Sequence, residues 1–299
     1  MPLISRREFI GTAVAGAAVA TILSTRPRAV LAQERKGADI RFGLVTYQWA
    51  KDWDLPTLIE NCEKAKVLGV ELRTTHKHGV EPSLSEGQRI EVRKRFADSD
   101  VKCVGIGSNE RFDSPDPATL KTAMEATKEF IELSHDVGGT GVKVKPDSFH
   151  KEVPREKTIE QIGKSLNELA EFATGFGQQI RLEVHGQCCQ LPTIKAILDV
   201  ADNPNVAICW NSNPQDLEEP GLEHNFNLVK HRFGDTVHIH RLESKAYPHQ
   251  QLLDLFVKMD YSGWLMLEEG EIPPDPAVEL AVQRELFDKM LEASRTKFG

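Results

Sequence analysis

Eight times between residues 42 and 297, a short stretch of strand character is followed by a longer stretch of helical period. The strand-like stretches are 42–47, 69–73, 101–107, 141–146, 180–186, 205–210, 237–242 and 263–268. The helical ones are 55–68, 83–97, 117–137, 158–176, 191–200, 222–231, 250–259 and 276–297. Asp116 ahead of Pro117 is a cap followed by proline at the first helical position, and Gly177 ends the fourth helix. Strands alternating with helices form a parallel sheet. Eight such units in roughly 260 residues predict an α/β fold, a single (β/α)8 TIM barrel over residues 40–299. The open doubly wound alternative needs a glycine-rich phosphate turn after strand one, and Thr46-Tyr47-Gln48-Trp49 holds no glycine.

The strands carry more charge than a parallel sheet needs. Ile180-Arg181-Leu182-Glu183-Val184-His185 alternates strictly, apolar then polar. In a closed barrel one strand face meets the helices and the other points inward. The inward set is then Glu71, Arg73, Lys143, Lys145, Arg181, Glu183, His185, His238, His240 and Glu268. A buried charge must be paired. The deeper members (Glu71, Lys143, Arg181 and His238) are therefore expected to form a structural ion network. Arg73, Lys145, Glu183, His185, Asn211, His240 and Glu268 fall at C-terminal strand ends, where barrel active sites form.

Glu183, Asn211, His240 and Glu268 together offer two carboxylates, an amide oxygen and an imidazole. That set suits a divalent ion such as Mn²⁺, Mg²⁺, Co²⁺ or Zn²⁺. A metal there polarises a sugar carbonyl, and Glu183 and Glu268 move a proton on and off carbon. This is the logic of isomerisation and epimerisation through an enediol. The loop from Arg73 through His76 to Gly79 lies over the mouth and is placed to bind hydroxyls or an anion. Lys145 and His185 are candidates for a second acid or base.

With these residues in place the chain resembles the xylose isomerase-like barrels, a family of sugar epimerases, hydroxypyruvate isomerase, inosose dehydratase and endonuclease IV. The resemblance rests on Leu182-Glu183-Val184-His185, His238-Ile239-His240-Arg241-Leu242-Glu243 and Leu267-Glu268. It implies that Glu183 and Glu268 bind the metal and exchange protons, that His240 is a ligand, and that Glu243 lies close to it. Strand six departs from the family pattern of Asp with His three residues on. Asn211 and Pro214 take those two positions. A neutral ligand weakens metal binding, and Asn213 or Asp216 is positioned to compensate. The departure keeps two alternatives open: a lyase or dehydratase of an oxidised sugar or cyclitol, and a metal-free, non-catalytic sugar-binding barrel.

The N-terminus carries its own signal. Ser5-Arg6-Arg7-Glu8-Phe9 precedes an apolar run of small residues, and Ala32 closes it. This reads as a cleaved twin-arginine export leader over 1–32, with 33–39 as linker and the periplasm or cell exterior as destination. The run is too short for a comfortable membrane span. Removing it takes away Arg6, Arg7, Arg26, Arg28 and Glu8, which leaves 33 basic and 44 acidic side chains and a net charge of −11. Such a surface repels phosphate backbones and excludes nucleic acid as partner. The expected partner is a small carbohydrate, with no stable membrane insertion, and a homo-oligomer is compatible with the sequence. Five cysteines with no CxxC spacing predict buried thiols and no disulfide framework.

Overall fold

Asp116 caps its helix as the sequence predicts: its carboxylate accepts from the backbone N–H of Thr119 at 2.9 Å, and Pro117 follows at the first position. The computed structural model describes residues 35–298, so the export leader expected over 1–32 lies outside the described residues. The strands are β1 (Ile40–Val45), β2 (Gly69–Arg73), β3 (Lys102–Arg111), β4 (Gly141–Lys145), β5 (Gln179–Glu183), β6 (Val206–Cys209), β7 (Thr236–Ile239) and β8 (Gly263–Leu267). The helices are α1 (Leu55–Lys64), α2 (Glu86–Ala97), α3 (Pro117–Val137), α4 (Arg155–Thr174), α5 (Leu191–Val200), α6 (Leu222–Val229), α7 (His249–Lys258) and α8 (Pro276–Phe298).

The strands pair in parallel in the order β6-β5-β4-β3-β2-β1-β8-β7. The ring is nearly closed. Between β6 and β7 only isolated bridges form, Ile208 to Phe233 and Asn211 to His238. The His238 backbone N–H donates to the Trp210 carbonyl across this seam at 2.6 Å. No helix among the described residues is long and apolar enough to cross a membrane.

Alternation sorts the strand residues as expected. Val70, Leu72, Val142, Val144, Ile180, Leu182, Val237 and Ile239 face outward and join the core beneath the helices. Burying each such side chain is worth about 1.5–3 kcal/mol. The interior is divided. Val45, Val104, Trp264 and Met266 from β1, β3 and β8 form a small apolar cluster. The charged residues come from β2, β4, β5 and β7.

Arg181 shows how one of those charges is accommodated. Its guanidinium donates to the Val104 carbonyl at 2.9 Å and to Gln179 Oε1 at 3.1 Å, and lies 3.2 Å from Asp235. Gly141 leaves room for it: a Cβ there would stand 2.8 Å from Arg181 Cζ. Arg181 is thus a structural ion, as its depth predicted. All five cysteines are buried and free.

Most element boundaries differ from the sequence reading by one to four residues, and three differences change what lies at a strand or helix end. α1 ends four residues early, β3 runs on to Arg111 through a register shift, and β7 stops at Ile239 instead of 242. The last of these matters for the site.

Candidate active site

At the C-terminal end of the barrel an open cavity of about 250 Å³ is lined by Tyr47, Arg73, Lys145, Glu183, His185, Asn211, Asn213, His240 and Glu268. Seven of the nine residues singled out from sequence for catalysis, metal or substrate meet there. His76 and Glu243 do not line it. The His76 Nδ1 lies 3.2 Å from the Thr46 hydroxyl, and Glu243 is exposed and tied to Arg241 and Gln283. Glu243 turns away because the chain leaves the sheet at Ile239, so strand alternation no longer governs where it points.

Glu183 ends β5 and is 1% exposed. The Lys143 ammonium, from one layer deeper on β4, lies 2.7 Å from its Oε2. The Asn211 amide donates to its Oε1 at 3.1 Å. Burial alone would raise this carboxyl, but the charges of Lys143 and His238 outweigh it and hold the group well below the usual carboxylate range. Glu268, just past β8, lies 3.1 Å from His238 Nδ1 and 3.5 Å from the Arg73 guanidinium. Burial opposes its ionisation too, and His238 brings it down to about 2. Burial pushes His238 toward its neutral form, but Cys209, Glu268 and Glu71 hold it well above its ordinary value.

The imidazole between the two carboxylates is therefore His238, and not His240 as the strand reading implied. Asn211 stands opposite His238 across the seam, in the same layer. Because β7 ends at Ile239, His238 is its last inward residue. The His240 Nδ1 is engaged by the Glu268 carbonyl at 2.8 Å, and its backbone N–H by the Ser212 hydroxyl at 3.0 Å. His238 and Lys143, expected to be purely structural, thus touch the candidate catalytic carboxylates. The long Lys143 side chain reaches up from a register position opposite Arg181.

Glu183, His238 and Glu268 each offer a ligand atom, and these lie within 4.8 Å of one another. Asn211 Oδ1 is buried without a partner among the described residues. Two carboxylates, an imidazole and an unclaimed amide oxygen fit a divalent ion. Of the two candidates for an extra ligand, Asn213 lines the cavity. Asp216 does not: it accepts from the Tyr247 hydroxyl at 2.8 Å and from the Asn213 backbone at 2.9 Å.

Two cations, Arg73 and Lys145, face the cavity beside the two carboxylates. Burial and the neighbouring Lys143 lower the Lys145 ammonium. His185 Nδ1 lies 2.7 Å from Asp147 Oδ1, which leaves Nε2 as its free nitrogen. Asp147 also pairs with Arg111. Tyr47, which the sequence reading missed, places its ring 5.4 Å from the Arg73 guanidinium carbon. It follows the last residues of β1, and no pattern in the sequence marks it.

Comparison with known proteins sets this geometry in context. No curated protein matches the sequence significantly. Among solved structures, an L-ribulose 3-epimerase superposes with a TM-score of 0.73 at 18% identity, covering 86% of this chain and 96% of that one. The 3-keto-D-glucoside 4-epimerase YcjR from E. coli gives 0.71 at 14% identity, covering 84% and 99%. An IolI protein with a bound zinc atom gives 0.68 at 15%, covering 87% and 99%. At these identities the likeness is one of fold. The sequence profile of the xylose isomerase-like TIM barrels matches residues 59–286. With the profile spanning most of the sequence and the barrel built as described, the chain belongs to the xylose isomerase-like TIM barrel family.

Proposed function

We propose that this protein moves a proton at the carbon beside the carbonyl of a sugar or sugar derivative, as an isomerase or epimerase. One observation carries the reading: two buried carboxylates, Glu183 and Glu268, flank His238 and open onto one polar cavity. Both are kept ionised, which is the form that accepts a proton from carbon. The cavity is below the roughly 300–1,000 Å³ of a drug-sized pocket and suits a small polar metabolite. The 3-epimerase and 3-keto-glucoside 4-epimerase among its structural neighbours support this reaction class.

Glu183, His238, Glu268 and Asn211 would hold a divalent ion, which supplies polarisation of the sugar carbonyl. The chain's own residues do the rest. Glu183 and Glu268 take and return the proton on opposite sides of the carbon. Arg73 holds Glu268 and faces the sugar hydroxyls. Lys145, its ammonium already eased by burial, donates to the oxygen that gains negative charge. His185, steadied by Asp147, presents Nε2 as a further donor or acceptor. The twin-arginine pattern expected over residues 1–32 supports a site of action outside the cytoplasm.

The test is a panel of ketoses and keto-glycosides incubated with the protein and Mn²⁺, with products identified by NMR. The reading predicts an epimer or isomer of at least one substrate. An unsaturated keto product would instead assign a lyase that expels a group after the same enolisation. Binding without turnover across the panel would leave a sugar-binding barrel.

A further inference from the structure

Each buried carboxylate of the barrel interior already has a cation of the chain's own. The Lys143 Nζ lies 2.7 Å from Glu183, the Arg73 guanidinium 3.5 Å from Glu268, and His238 Nε2 3.1 Å from Glu71. Glu71, Glu183, Lys143 and His238 are at most 1% exposed, so water screens none of these charges. Lys143 is the most committed of the three cations. Among the described residues, its one other polar contact is the Ser108 carbonyl at 3.2 Å, and no second carboxylate touches it. Among the described residues, Glu183 has no second cation beside it apart from the imidazole, at 3.6 Å.

A divalent ion at Glu183, His238 and Glu268 would add two positive charges to a balanced interior. It would also stand next to an ammonium whose other polar contact is a neutral carbonyl, that of Ser108. Like charges a few ångströms apart in a dry site repel strongly. We propose that Lys143 is a built-in competitor for the metal: it occupies Glu183, so that a divalent cation binds weakly and only by displacing the ammonium. The proposal rests on the reading of Glu183, His238 and Glu268 as the metal-holding set. It makes Lys143 the residue that sets metal affinity at this site, and it pairs with the neutral Asn211 in reducing the site's demand for an ion.

The experiment is calorimetric titration of the chelator-stripped protein with Mn²⁺ alone, without sugar. Lys143→Met keeps the length and apolar stem while removing the charge. It is expected to bind Mn²⁺ about a hundredfold more tightly than the wild type. Lys143→Arg, which retains the charge, is expected to stay weak. Lys143→Met combined with Glu183→Gln is expected to return to weak binding. Equal affinities for the wild type and Lys143→Met would overturn the proposal. If Lys143→Met does not fold, the wild type decides: a Kd above about 10 µM supports the proposal and a tighter one overturns it. Because metal affinity is read without substrate, failure here leaves proton transfer standing. Failure to turn over any sugar equally leaves this result intact.

Discussion

His238 Nε2 lies 3.1 Å from Glu71 Oε1 inside the barrel, and neither side chain reaches solvent. Through its other nitrogen, 3.1 Å from Glu268, the same ring joins the floor of the barrel to the mouth. His238→Ala should therefore cost stability before it costs chemistry. Removing one partner of a buried ion pair typically costs about 3–5 kcal/mol. Urea unfolding should show a loss of that size. A loss under about 1 kcal/mol would mean that Glu71 is not paired as described.

Glu268→Gln keeps the shape of the site and removes the group that accepts the proton. Turnover on any accepted sugar should fall by about 10²–10⁴-fold, the usual worth of a general acid or base. The far-UV circular dichroism should be unchanged. A fully active, folded variant would remove Glu268 from the chemistry.

Stability should depend on pH through the same groups. Glu268 sits at about 2 in the folded protein against an ordinary 4.5, and Glu183 is lowered as well. A group lowered on folding stabilises above its unfolded value and loses that contribution as pH falls. Melting temperature should therefore drop as pH falls from 4.5 toward 2, and Glu268→Gln should flatten that drop. His238 has the opposite sign: raised on folding, it contributes fully below 6.5, and the contribution fades as pH rises through its folded value. A wild-type melting temperature that stays flat below pH 4.5 would contradict this account.

Gly186 approaches Asp147 too closely for a side chain. Its φ is +67°, and a Cβ would stand 2.5 Å from the Asp147 carbonyl oxygen. Gly186→Ala should displace Asp147 and release His185. The expected result is a loss of about 1–3 kcal/mol in stability together with a raised KM. An unchanged KM would show that His185 does not need Asp147 to meet substrate.

The barrel was legible because its signals are local. α3 and α5 match the sequence reading residue for residue, α3 with Asp116 as cap and both with a proline in the first turn. Strand alternation placed Glu183 and Arg73 inward at the right ends. What the sequence does not carry is the level at which neighbouring strands meet. His238 and His240 alternate identically on paper, and only the seam pairing with Asn211 puts His238 among the carboxylates. Lys143 was read as deep because its Cα is deep. Its four-carbon side chain carries the charge one layer up to Glu183. Tyr47 and the Asp147–His185 contact join segments with no shared pattern.

The most direct test of the account is solvent exchange in D₂O, followed by NMR, with the Mn²⁺-supplied protein and a panel of ketoses and keto-glycosides. Proton transfer at the carbon beside the carbonyl predicts deuterium at that carbon in at least one sugar, with epimer or isomer formation lost in Glu268→Gln and any remaining exchange left to Glu183. Epimer or isomer formed without any deuterium exchanged from solvent, or epimer or isomer formation that persists undiminished in Glu268→Gln, would contradict it.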